Sequence, residues 1–388
     1  MNLYLQLGIA FAIAFVVTYV MVPVSKRIAL RIGAIDYPGN RRVNTVPIPR
    51  CGGIALFVGF MAAFAFVVVE AQTYGRSMLD FVMERDVNLV LMVLGITIMF
   101  VAGLIDDIYQ IRAKVKFFWQ IVACVVVYIS GISIDVMVNP LNGQLFSLGW
   151  FDGIITVAYL LGFVNVTNLI DGLDGLAAGL AAIVSLCLFA LVIGNGSFTI
   201  SAMCLALIGV CLAFLRYNFY PATVFMGDCG SLFLGLIVGI VSIMGVVRTA
   251  SIVLMLVPVV IAGVPVVDTA SAIIRRMRGH KHIDEADLGH VHHRLLNRGF
   301  DQRKSVLILY GWSALLGVAG VAVGMIDGPG RFVVLAVMAA VVALAIWKLG
   351  LFKPVLQHYY DSKNATGPRI PQGYEPGSQI PEERDDSA

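Results

Sequence analysis

Two adjacent carboxylates, Asp106 and Asp107, close an apolar run in Gly103-Leu-Ile-Asp-Asp. If that run is a helix, they sit at the end where the macrodipole disfavours anions. Something cationic must compensate, either Lys114 and Lys116 or a metal. A second group reads Asn165-Val-Thr-Asn168-Leu-Ile-Asp171-Gly-Leu-Asp174-Gly. Asp171 and Asp174 would share a face in a continuous helix, whereas Gly172 and Gly175 suggest a broken helix with close backbone approach. A plain turn would use the glycines and aspartates but has no need of two asparagines one turn earlier. Third comes Asn218-Phe-Tyr-Pro-Ala-Thr-Val-Phe-Met-Gly-Asp228-Cys-Gly-Ser231. Helix capping accounts for Asp228 or Ser231 but for neither Asn218 nor the glycines at 227 and 230. A carboxylate beside a glycine-flanked helix start can hold a cation while the backbone N–H groups hold phosphate. Fourth, His290-Val-His292-His293-Arg294 gathers three histidines before an arginine. Zinc ligation, proton handling and an anion clamp all remain open for it, while Asp268 and Arg275-Arg276 read as ordinary juxtamembrane charges.

Oxygen donors without thiolates suit a hard cation, and Mg²⁺ normally takes one or two carboxylates together with substrate phosphate. Mn²⁺ is the expected substitute. The chain offers more aspartates than one such ion requires, so the surplus would position substrate or handle a proton. Phosphoryl transfer depends mostly on positioning and charge stabilisation, and these parts fit it.

The elements that carry these residues are membrane helices. Of 388 residues, 59% are hydrophobic and 13% charged, with a mean hydropathy of +0.89. A soluble domain carries about 25% charged residues, so a water-soluble fold is excluded. Spans of about 20 apolar residues cross a hydrocarbon core. They are expected near 3–24, 52–70, 87–105, 116–133, 154–170, 175–193, 198–215, 231–247, 251–268, 305–326 and 331–350. The fold class is therefore all-α, polytopic, with about eleven transmembrane helices. The first span lacks the basic start and small-x-small end of a cleaved signal peptide. Lys26, Arg27 and Arg31 follow it, which places the N-terminus outside and the C-terminus in the cytoplasm. Eleven spans then leave only Arg76, Arg85, Arg248 and Arg331 outside, of 27 lysines and arginines. On this topology all four polar groups face the cytoplasm, and one substrate is expected to be a lipid phosphate. The six cysteines have no zinc-ligand spacing and read as small apolar fillers. Residues 1–360 form one membrane domain that includes the cytoplasmic loop 269–304. Residues 361–388, rich in Pro, Gly, Ser and charge, are expected to be a disordered tail.

Together the motifs resemble the polyprenyl-phosphate N-acetylhexosamine-1-phosphate transferases. The matching stretches are Gly-Leu-Ile-Asp106-Asp107 with Lys116-Phe-Phe-Trp-Gln, the Asn165–Gly175 run, Asn218-Phe-Tyr-Pro-Ala with Phe225-Met-Gly-Asp228-Cys-Gly-Ser, and His290-Val-His292-His293-Arg294. They keep family order and spread over residues 36 to 304. The resemblance implies attack by a polyprenyl phosphate on the sugar-proximal phosphorus of a UDP-sugar, with UMP leaving. It makes Asp228 the principal Mg²⁺ ligand, with Asn168, and Asp106 or Asp107 a base or an orienter of the lipid phosphate. A phosphate monoester has a second pKa near 6 and needs little help from a base, which favours orientation. Lys116, His290, His292, His293 and Arg294 would bind or neutralise the diphosphate. Asp171 and Asp174 would shape the uridine and metal side, and Asn165 and Asn218 would contact substrate.

The sequence His-x-His-His-Arg resembles the branch that uses UDP-N-acetylglucosamine, the WecA and TagO type. The muramoyl-pentapeptide branch, whose histidine loop is composed differently, is the alternative within the family. Implied partners are UDP-GlcNAc, undecaprenyl phosphate, membrane lipids and a second copy of the chain in a homodimer, with no nucleic acid. The implied place is a bacterial inner membrane, with the site facing the cytoplasm and the product feeding an envelope glycopolymer such as teichoic acid or lipopolysaccharide. Two other classes are a zinc-dependent membrane hydrolase built on the histidines and an ion-coupled transporter. The transporter requires acidic residues near the midplane, whereas these sit at inner span ends.

Overall fold

The computed structural model describes residues 3–38, 46–73, 87–138, 144–195, 198–247, 300–326 and 330–349. Met1–Phe352 forms one compact unit; the second, Lys353–Ala388, lies outside the described residues together with the expected span 251–268, the histidine motif and the tail. The described helices are α1 (Leu3–Ile32), α2 (Gly53–Thr73), α3 (Leu89–Tyr109), α4 (Ala113–Ile129), α5 (Asp152–Ile170), α6 (Leu176–Val192), α7 (Phe198–Asn218), α8 (Gly227–Val247), α9 (Gln302–Met325) and α10 (Gly330–Leu349). Two short antiparallel hairpins accompany them: β1 (Ile35–Asp36) pairs with β2 (Ile48–Pro49), and β3 (Val136–Val138) with β4 (Leu145–Ser147). Among the described residues, seven helices are long and apolar enough to cross a membrane, with α6 and α10 apolar but shorter. The chain is an all-α, multi-pass membrane protein.

Small residues set the helix packing, as expected where lipid supplies no hydrophobic drive between helices. In α1 the buried stripe Ala10, Ala14, Thr18, Val22 recurs every fourth residue and faces α2 and α7. A side chain at Gly209 would come within 2.8 Å of the Phe11 carbonyl, so α1 and α7 touch through backbone. Helix α8 is apolar on all sides, with Leu232, Phe233, Leu234, Leu236, Ile237, Ile240 and Val241 buried. An all-round apolar helix belongs in the interior, and α2, α3, α5, α6 and α7 enclose it.

Several helices run past the apolar stretches that announce them. Helix α1 continues to Ile32, α3 to Tyr109 and α7 to Asn218, while α8 starts at Gly227. Backbone hydrogen bonding does not stop where the side chains turn polar, so the terminal turns carry the charged residues. Gln110, in the left-handed conformation at φ 48°, ends α3, and Arg112 begins α4. This tight connection sets the last turn of α3 beside the first turn of α4.

Candidate active site

Asp228 lies in the first turn of α8, and backbone contacts from two other segments place it. The Phe225 N–H donates to the Pro49 carbonyl at 2.9 Å, and the Gly52 and Gly53 N–H groups donate to Phe225 and Met226 at 2.9 and 2.8 Å. The approach to α8 is thus laced to the chain entering α2. On the other side, a side chain at Gly103 of α3 would meet the Asp228 carbonyl oxygen at 2.6 Å. Only glycine lets these backbones approach so closely.

Asp107 completes the anchoring. Its Oδ1 accepts from the Asp228 N–H at 2.8 Å and its Oδ2 from the Cys229 N–H at 3.0 Å. A carboxylate from the end of α3 therefore caps the start of α8, satisfying free N–H groups and meeting the favourable end of the dipole. Arg50 adds an ion pair, with Nη2 3.6 Å from Asp107 Oδ1 and Nη1 3.8 Å from Asp36 Oδ1.

Asp106 turns instead to α4. Lys116 Nζ donates to Asp106 Oδ2 at 3.1 Å and also to Asp228 Oδ2, so one ammonium bridges both carboxylates. The second oxygen of Asp228 accepts from Asn168 Nδ2 at 2.7 Å, and the same amide nitrogen donates to Ser231 Oγ at 2.9 Å. Residues from three separated motifs thus meet on Asp228. Asp171 stands at the end of α5. Burial pushes its carboxyl well above the usual range, and the negative charges of Asp228 and Asp107 push it further, against the pull of Arg50. For Arg50, burial opposes the charge, but the pull of Asp107, Asp228, Asp36 and Asp106 leaves its affinity for the proton above normal.

Other motif residues serve the frame. Asn165 Nδ2 donates to Gln120 Oε1 at 3.0 Å and to the Leu161 carbonyl at 2.9 Å, which ties α5 to α4. Asn218 Oδ1 accepts from the Gly175 N–H at 3.0 Å while its Nδ2 donates to the Val224 carbonyl at 2.9 Å. Asp174 Oδ2 accepts from the Ala222 N–H at 2.9 Å. Burial raises the Asp174 pKa, and this hydrogen bond counters part of the rise. The 171–175 and 219–225 loops are therefore pinned to each other. His290, His292, His293 and Arg294 lie outside the described residues.

Arg50, Gly52 and Gly53 escaped the sequence reading. Their signal is Pro49-Arg-Cys-Gly-Gly immediately before an apolar run, a cation and two glycines at a helix start. Among the described residues, no three carboxylate, histidine or cysteine side chains converge as a metal-binding group. The groups around Asp228 are instead the Asp106 carboxylate, which shares Lys116 with it, the Asn168 amide, whose nitrogen faces it, and the hydroxyl of Ser231.

The chain is similar to known proteins over most of its length. Residues 89–246, the span from α3 to α8, match the model of glycosyl transferase family 4. A probable undecaprenyl-phosphate N-acetylglucosaminyl 1-phosphate transferase of Bacillus subtilis is 37% identical over 79% of this chain and 82% of its own length. A decaprenyl-phosphate N-acetylglucosaminephosphotransferase of Mycolicibacterium smegmatis is 32% identical over 84% of each chain. A phospho-N-acetylmuramoyl-pentapeptide-transferase of Moorella thermoacetica is 38% identical, over 47% of this chain and 55% of its own.

Proposed function

This chain belongs to the polyprenyl-phosphate N-acetylhexosamine-1-phosphate transferase family, and we propose that it transfers N-acetylglucosamine-1-phosphate from UDP-GlcNAc to undecaprenyl phosphate. A lipid-phosphate oxygen forms a bond to the sugar-bearing phosphorus of the diphosphate. The bond from that phosphorus to the bridging oxygen breaks, and its electron pair leaves with UMP. The product is a lipid diphosphate carrying the sugar.

The observation that carries this reading is the bridge on Asp228, where Lys116 and Asn168 hold opposite oxygens of one carboxylate. Asp106, Asp107 and Asp228 gather around the cations Lys116 and Arg50, with Asp171 beside them, so oxygen acceptors outnumber these two positive charges. Such a set fits Mg²⁺, which keeps several waters and takes one or two carboxylates plus substrate phosphate. Asp228 and the Asn168 amide would hold it. Bound there, it would neutralise charge on the diphosphate oxygens and orient them.

The protein's own groups supply the rest. Lys116 is placed to release an acidic partner and meet a phosphate oxygen, while Asp106 restrains and orients the ammonium. Asp107 and Arg50 keep the Asp228 turn in place. Near neutral pH the lipid phosphate is largely a dianion, so Asp106 acts on orientation rather than as an obligatory base. The site lies at the cytoplasmic ends of its helices in a bacterial inner membrane and faces the cytoplasm, the compartment that holds UDP-sugars. Over about four fifths of the chain the N-acetylglucosamine relatives are 37% and 32% identical and a pentapeptide-sugar relative 28%, and that higher identity favours N-acetylglucosamine.

The test offers purified protein UDP-GlcNAc and UDP-MurNAc-pentapeptide separately, with undecaprenyl phosphate, and identifies the lipid product by mass. A lipid diphosphate bearing GlcNAc is expected. Turnover with the pentapeptide sugar alone would overturn the sugar assignment, and no lipid product from either would overturn the reaction.

A further inference from the structure

Tyr310 lies two turns inside α9 and belongs to none of the motifs, yet its hydroxyl donates to the Gly175 carbonyl at 2.5 Å. That carbonyl also accepts the first-turn bond of α6 from the Gly179 N–H at 3.0 Å. Gly179 leaves the space that the Tyr310 ring fills, because any side chain there would overlap the phenol. On its other side, the Gly175 N–H donates to Asn218 Oδ1. Both polar groups of the residue that follows Asp174 are thus fixed by side chains of other helices. Gly175 itself holds φ +79°, a left-handed conformation that glycine adopts without strain.

The same end of α9 reaches the facing loop. Arg303 Nε donates to the Tyr220 carbonyl at 3.2 Å, and its guanidinium carbon lies 5.6 Å from the Tyr220 ring centroid. Asp301 caps the helix by accepting from the Lys304 N–H at 2.8 Å, which fixes where Arg303 and Tyr310 project. A loop with glycines at 172 and 175 has little conformational preference of its own. Its pose therefore depends on what holds its ends, and at the Gly175 end that is Tyr310 with Asn218.

We propose that Tyr310 is a positioning residue for the transfer, holding the Asp171–Gly175 loop in the pose that receives the nucleotide sugar. This rests on the function proposed above. The hydroxyl touches no reacting atom, so its loss weakens nucleotide-sugar capture and leaves lipid capture and the chemical step in place. One hydrogen bond to a backbone carbonyl corresponds to about a fivefold change.

Tyr310→Phe in the full-length protein removes the hydroxyl and keeps the ring against Gly179. KM for UDP-GlcNAc should rise about fivefold, with kcat and KM for undecaprenyl phosphate unchanged and the thermal midpoint lowered by no more than about 2–4 °C. Titration of the same proteins with UDP should show the same loss of affinity without turnover. Gly179→Ala displaces the ring and should raise the same KM, and the double variant should be no worse than Gly179→Ala alone, because both remove one bond. An active unaltered protein whose Tyr310→Phe variant keeps its KM for UDP-GlcNAc overturns this inference alone. Parallel loss in both KM values, kcat and thermal midpoint also overturns it, since that marks a purely structural role. An unaltered protein that neither turns over UDP-GlcNAc nor binds UDP overturns the functional reading and this inference with it.

Discussion

Replacing Asp107 with asparagine preserves the shape of the side chain and removes one of its two acceptor oxygens. In the native site those oxygens take the Asp228 and Cys229 N–H groups at 2.8 and 3.0 Å. A hydrogen bond to a charged partner contributes about 1.5–3 kcal/mol, and a carboxylate at a helix N-terminus about 0.3–1 kcal/mol more. The asparagine keeps one bond as a neutral acceptor and points an N–H at the other donor, which leaves a buried group unpaired. The expected cost is about 2–3 kcal/mol, seen as a thermal midpoint several degrees lower in detergent. Because the lost bond holds the turn that carries Asp228, kcat should fall about ten- to a hundredfold. Asp106→Asn makes the contrast: Asp106 meets α8 through Lys116 and the Asp228 side chain, while the backbone N–H groups of α8 bond to Asp107, so activity should fall with a smaller loss of thermal midpoint. Thermal unfolding of both variants beside UMP release decides the matter. An Asp107→Asn protein as stable as the unaltered one, or an Asp106→Asn protein equally destabilised, would refute the division between an anchoring and an orienting aspartate.

Further expectations follow from the same contacts. Lys116→Met leaves Asp106 and Asp228 facing each other without their shared cation, and loss of one preorganised donor to the phosphate oxygens should lower UMP release about a hundredfold. Gly103→Ala drives a methyl against the Asp228 carbonyl and should cost about 1–3 kcal/mol in stability, whereas Gly162→Ala, inside α5 with nothing within 4 Å, should be neutral or raise stability by up to about 1 kcal/mol in the same unfolding assay. Asp171 is held well above the usual carboxylate range by burial and by Asp228 and Asp107. The fold then favours its protonated form, and its contribution to stability is present at low pH and lost as pH rises through the raised pKa. With a chelator present, Asp171→Asn should melt higher than the unaltered protein at about pH 8, with the gap closing toward pH 4; a gap independent of pH would contradict this.

The sequence made the chemistry of the site visible more readily than its joinery. Adjacent aspartates at a helix C-terminus signalled a missing cation, and Lys116 supplies it for Asp106. For Asp107 the compensation is the start of α8 together with Arg50, a contact between segments more than a hundred residues apart that no local pattern encodes. Capping seemed one explanation for Asp228 or Ser231, but the free N–H groups at Asp228 and Cys229 are satisfied by Asp107. The resemblance implied substrate contacts for Asn165 and Asn218, and the structure shows that the two also tie backbone and helices together, as polar residues must where water is absent. Arg50 was hidden in a short loop whose composition resembles any turn. Helix existence was legible from apolar length, while helix ends were not, since the last turns of α3 and α7 and the first turn of α8 are polar.

The central claim is that Asp228, held between Lys116 and Asn168, is the residue on which UDP-GlcNAc and a lipid phosphate react. Its most direct test is the initial rate of UMP release by purified Asp228→Asn and unaltered protein, each with UDP-GlcNAc, Mg²⁺ and undecaprenyl phosphate. The unaltered protein should release UMP only when both substrates are present, and Asp228→Asn should release none above background while melting near the unaltered temperature. Near-normal UMP release from a folded Asp228→Asn protein would contradict the account.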